Sequence, residues 1–125
     1  LVGLADFTPG DLDIRLRQNN LTPIVITFAD DSATPVPNDF TGYTNVIMKF
    51  ALDGQNTSIS ISGTISDAAN GEITISLNGA AWTTINAILT PGRGTRQLEY
   101  ELVITDPSSN LISLLSGGCV IEMGL

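Results

Sequence analysis

Apolar residues in this chain recur at every second position, in short runs interrupted by turn-forming residues. Successive side chains of a β-strand point to opposite faces, so each run fits a strand with one buried and one wet side. Ile14 and Leu16 alternate with Arg15 and Arg17, and after a polar crossing at Gln18-Asn19-Asn20 the spacing returns at Ile24, Ile26 and Phe28. Val46, Met48, Phe50 and Leu52 share one parity. Ile59, Ile61 and Ile65 alternate with Ser58, Ser60, Ser62 and Thr64, and Ile73, Ile75 and Leu77 alternate with Thr74 and Ser76. Leu98, Tyr100, Leu102 and Ile104 form the longest run. A last strand or strand pair covers Leu111 to Met123, with Gly117-Gly118 as a bulge or kink.

The interruptions are equally informative. Asp30 to Asp39 is rich in turn formers and twice broken by proline, which makes it a loop. Asp53-Gly54 and Asn70-Gly71 are hairpin signals, and the second makes Ser58 to Leu77 a hairpin with its loop at Ser66 to Gly71. Between Ala80 and Leu89 the alternation stops; Trp82, Ile85, Ala87 and Ile88 are spaced for a short helical turn, ended by Pro91-Gly92-Arg93-Gly94. Parallel sheets need helices between most strands, and that pattern is missing. The expected fold is therefore all-β: an immunoglobulin-like antiparallel β-sandwich of about seven to nine strands with one short helical turn. Residues 1–11 read as an N-terminal arm and residues 12–125 as the sandwich domain. The arm is apolar and closes on Pro-Gly, so it either docks on a neighbouring subunit or else frays or lies across its own sheet. The first residue is Leu1 rather than Met, and the last strand is followed by no further segment, so a processed chain without an appended domain is expected.

Composition narrows the chemistry. With 42% hydrophobic and 14% charged residues the chain has enough apolar surface to fold, which excludes disorder. A mean hydropathy of +0.24 further suggests that a partner covers some of that surface. Thirteen acidic and five basic residues give a net charge of −8, which argues against nucleic acid as a partner, because phosphate binding needs clustered Lys and Arg. There is no histidine, so a Ser–His–Asp triad, a thiol–imidazole pair and a histidine metal site are all excluded. The single cysteine, Cys119, allows no internal disulfide and reads as a small buried hydrophobe. The apolar runs are far too short to span a membrane. No cofactor and no small-molecule ligand are expected.

Four local constellations each have a plainer reading. Pro91-Gly92-Arg93-Gly94-Thr95-Arg96 is Gly-rich and holds two arginines, but no helix N-terminus follows to complete a phosphate cradle. Glu99 and Glu101 share a strand face and could meet a sugar or cation; the solvent side of a half-buried strand is the preferred reading. Asp30, Asp31 and Asp39 lack a calcium-loop pattern. Trp82 and Tyr43 are the aromatics left for a carbohydrate platform, although each also suits a plug between sheets. The residues singled out for partner contact are Leu1, Val2, Leu4 and Phe7 of the arm, with Trp82, Arg93 and Arg96.

The order of motifs resembles a known family. Asp13-Ile14-Arg15-Leu16-Arg17-Gln18-Asn19 followed by Ile24 to Phe28 is similar to the opening of the immunoglobulin-like domain of phage baseplate upper proteins and tail-fibre N-terminal modules. Thr34-Pro35-Val36 leading to Asp39-Phe40-Thr41-Gly42-Tyr43 resembles that family's P-V-D-L-T-G-A stretch. Asp67 to Ile75 is similar to its D-x-x-x-G-x-I/V hairpin, Tyr100-Glu101-Leu102 to its Y-D-L strand, and Leu114 to Val120 to its closing L-L-x-G-x-V. The resemblance runs from Leu12 to Glu122, with Glu101 in place of the aspartate and two glycines after Ser116. It implies a non-enzymatic virion structural protein, an attachment module of the tail, baseplate or fibre base, with other virion proteins as partners and a homo-oligomeric state. Two alternatives stand beside it: a capsid decoration (cement) protein on the phage head, which suits a small acidic sandwich, and a carbohydrate-binding module using Trp82 and Tyr43.

Overall fold

The computed structural model describes residues 10–30, 32–52 and 58–123. Its strands are β1 (Gly10–Asp11), β2 (Ile14–Arg17), β3 (Ile24–Thr27), β4 (Thr44–Leu52), β5 (Ser58–Ser62), β6 (Thr64–Asp67) and β7 (Glu72–Ile75). A helix, α1 (Gly79–Asn86), precedes β8 (Thr95–Thr105) and β9 (Leu111–Glu122). The larger sheet runs β1-β9-β8-β4-β5, with β2 also on β9; the smaller runs β3-β7-β6. This is the partition of an immunoglobulin-like sandwich, in which the second strand and its neighbours oppose a sheet built around the third and the last two.

Between the sheets lies one apolar core. The parities expected from alternation hold: Val46, Met48, Phe50, Leu98, Tyr100, Leu102 and Ile104 are all buried, and Lys49, Glu99 and Glu101 occupy the other face. Phe40, which no alternating run contains, is also fully buried and stacks edge-on between Phe28 and Tyr43. Asn38 is the one polar residue among the buried side chains described. The Asn70-Gly71 turn forms as expected: Gly71 has φ +68, and a Cβ there would sit 2.6 Å from the Phe28 carbonyl oxygen and 2.7 Å from that of Asn38. Only glycine tolerates both the left-handed backbone and that closeness.

Four details depart from expectation. First, Ser58 to Leu77 is not one hairpin: β5 pairs antiparallel with β4 in the larger sheet, while β6 pairs with β7 in the smaller. Gly63 makes the transfer, at a spot where a Cβ would lie 2.8 Å from Val46 Cγ1 and closer still to Ile75 Cδ1. Second, β1 and β2 run parallel to β9, so the sandwich is not purely antiparallel. Strands this distant in sequence are free of the hairpin constraint that makes neighbours antiparallel. Third, Gly10 and Asp11, assigned to the arm, form β1 against Leu115 and Ser116. Fourth, β9 is one continuous strand, and its bulge falls at Leu114 rather than Gly117-Gly118: Leu102 pairs with Leu115, but Val103 pairs with Ser113. Bulges belong to a pairing and not to one strand. The turn of the β4–β5 hairpin, with Asp53-Gly54, lies outside the described residues.

Candidate interaction surfaces

The helical segment forms where expected, as a two-turn helix rather than a single turn. Asn78 caps it, its Oδ1 accepting from the Ala81 N–H at 2.9 Å. Ala81, Trp82 and Ile85 turn into the core. Trp82 is 2% exposed, and its indole N–H donates to the Asn20 carbonyl at 2.7 Å. That removes Trp82 from the surface: it packs in the core and ties α1 to the turn between β2 and β3. Asn86 strengthens the tie, accepting from Gln18 Nε2 at 2.8 Å and donating to Asn19 Oδ1 at 3.1 Å. Tyr43 is half-buried against Phe40, and burial next to Asp106 and Asp39 raises its phenol pKa.

Arg96 is turned inward on its own loop. Nε donates to the Thr90 carbonyl, Nη1 to those of Arg93 and Thr95, and Nη2 to that of Pro91. The Gly-rich segment is thus closed around the guanidinium, and four of its five donors go to backbone carbonyls rather than to an anion. Arg93 stands exposed at the loop tip. Leu1, Val2, Leu4 and Phe7 lie outside the described residues.

Cys119 is buried, and burial pushes its thiol up to about 12. A thiol so high is neutral at physiological pH and is a packing group, not a nucleophile. Asp30, half-buried, and Asp39, exposed, organise the loop before β4 through their carboxylates. Asp30 accepts from the Ser32 hydroxyl and from the Val36 and Ser32 amides, Asp39 from the Thr41 hydroxyl and amide, and both pKa values fall accordingly. Among the described residues no three acidic or thiol groups converge as a metal site would require.

Two kinds of surface remain. The outer face of the larger sheet is polar and nearly flat. Glu99 and Glu101 stand on it beside Lys49, which is registered opposite Glu101. Shallow troughs flank the Glu99 ridge, about 350 Å³ over Ser116, Gly117 and Gly118, and about 220 Å³ over Ala51 and Ser58. The absence of side chains on Gly117 and Gly118 makes the first trough, and Asp13 accepts from the Gly118 N–H at 3.2 Å beside it. Glu99 and Glu101 therefore share a face, as their spacing requires, on an open surface and not in a cleft.

The other surface is the edge of β5. A depression of about 260 Å³ separates it from α1, with Ser60 and Ser62 on one wall and Ser76, Ala80 and Thr84 on the other. Alternation identified Ser60 as wet, but nothing in it shows that β5 ends the sheet. No protein-family model matches this chain, and no curated protein matches it.

Proposed function

We propose that this protein is a phage virion structural component, a non-enzymatic attachment module of the tail, baseplate or fibre base. The observation that carries this reading is how the sandwich allots its groups. Its core is apolar and holds its one thiol in neutral form, while among the described residues no Asp, Glu, Lys or Arg is buried. A polar sheet face and a strand edge left without a ladder partner among the described residues suit broad contact with other proteins, since recognition there comes from backbone ladders and side-chain complementarity. The motif order from Leu12 to Glu122 points to the tail as the site of that contact. A capsid decoration role remains the competing placement.

The test is gold labelling of intact phage particles with antibody to the purified domain. Label at the tail or baseplate is expected. Label distributed over the head moves the protein to the capsid surface, and particles free of the protein defeat the virion reading altogether. Deleting residues 1–9 is expected to leave cooperative melting intact while lowering incorporation into particles, as scored by immunoblot of purified virions; undiminished incorporation removes the arm from assembly.

A further inference from the structure

The edge of β5 specifies its own partner. Gly63 N–H donates to the Val46 carbonyl at 2.8 Å, and this bond sets the phase of the β4–β5 ladder. Bonded pairs alternate along an antiparallel ladder, so Met48–Ile61 and Phe50–Ile59 exchange hydrogen bonds with β4. The peptide groups of Ser58, Ser60 and Ser62 consequently point out of the sheet. Among the described residues, none bonds to those of Ser60 or Ser62 from the outer side. Native sheets guard such edges with charge, proline or bulges. β2 carries Arg15 and Arg17, β3 follows directly on Pro23, and β6 carries Asp67 beside a register shift. The Ser-Ile-Ser-Ile-Ser of β5 has none of these; α1 packs beside it but leaves a depression along Ser60 and Ser62.

We propose that β5 pairs antiparallel with β5 of a second copy, about a twofold axis at Ser60, joining two larger sheets into one. A twofold axis makes the contact isologous, and because the strand reads the same in both directions it also sets like residues against like. Centred on Ser60, the pairing sets Ser60 against Ser60, Ser58 against Ser62 and Ile59 against Ile61. All three serine pairs are then of the bonded type, giving about six backbone hydrogen bonds. A slip of one residue would set serine against isoleucine and put the outward peptide groups out of phase, so the register is fixed. Electrostatics favours the same occupant. From Ser76 to Thr90, a segment that includes all of α1, the chain holds no ionisable residue, and neither does β5. Two chains of net charge −8 therefore meet where neither presents charge. Small side chains on α1 leave the depression open beside the incoming strand. This dimer deepens the assembly reading but is measured on the purified chain alone, so either can fail without the other.

A ladder of this length is at the small end of specific interfaces, and a dissociable dimer in the range of about 1–100 µM is expected. Sedimentation velocity of the full chain from about 1 to about 300 µM tests it. Ser60→Pro removes an outward N–H without touching the β4 ladder, and Ser60→Glu sets two carboxylates on the axis while placing each opposite its own Lys49. Both are expected to weaken dimerisation at least about tenfold, with Ser60→Glu melting at the wild-type temperature. Ser60→Cys is expected to cross-link on mild oxidation, because Cα atoms of a bonded antiparallel pair lie about 5.5 Å apart, within disulfide reach. A chain monomeric at every concentration overturns the proposal, which would leave the edge to an extended segment of another protein. So does a dimer indifferent to Ser60→Pro and Ser60→Glu, or one that Ser60→Cys cannot cross-link.

Discussion

Gly63 and Cys119 each show how one residue's surroundings fix its chemistry. At Gly63 the demand is for space: the missing Cβ lets the chain leave the larger sheet between Val46 and Ile75, of which Ile75 is fully buried and cannot swing away freely. Gly63→Ala is expected to lower stability by about 1–3 kcal/mol through overpacking, read as a reduced urea midpoint with an unchanged slope. At Cys119 the demand is for dryness. Its folded pKa lies above the ordinary thiol value of 9.0, at about 12, so the native state holds the proton that the unfolded state releases. Its contribution is full below pH 9 and is lost as pH rises from there toward 12. A chromogenic disulfide reagent at pH 8 is expected to leave the native thiol unreacted and to titrate it only in denaturant; rapid native labelling would contradict the burial.

At the scale of elements, α1 is held by its cap and by its ties to the β2–β3 turn. Asn78→Ala is expected to cost about 1 kcal/mol, the usual value of a lost N-cap. Trp82→Ala should cost more, about 3–5 kcal/mol, because it empties the core volume that the buried indole fills. Thermal melts of the two variants would rank them, and equal losses would show that Trp82 packs less than its burial indicates. The loop before β4 has a pH signature of its own. Asp30 and Asp39 titrate below the ordinary value of 3.8 when folded, so their support is present above that value and disappears as pH falls through the lower folded values. Amide exchange protection at Val36 and Thr41, whose N–H groups bond these carboxylates, should fall in that acid window before the sheets melt.

For the whole molecule the governing quantity is net charge. Two copies at −8 repel at a distance even when their contact is uncharged. Added salt screens that repulsion over a Debye length of about 8–10 Å near physiological ionic strength. Self-association is therefore expected to strengthen as sodium chloride rises from about 20 to about 300 mM, monitored by sedimentation. Weakening with salt would mean that ion pairs, and not a backbone ladder, hold the dimer.

Alternation by itself determined the strand positions from β2 onward, the core parities of β4 and β8, and the turn at Asn70-Gly71, because these depend on neighbours a few residues away. Helical spacing likewise revealed α1, though not that Trp82 faces inward onto Asn20. Sheet membership escaped the sequence: Ile61 and Ile65 continue one parity across Gly63 while their strands lie in opposite sheets. Pairings between distant segments escaped it too. The parallel match of β2 with β9 and the bulge at Leu114 exist only once two strands meet. Which edge stays open is the most global property of all, since it depends on where every other strand has gone. Only the tertiary structure, by seating β5 last in its sheet, turned the peptide groups of Ser58, Ser60 and Ser62 outward, where the proposed contact would form.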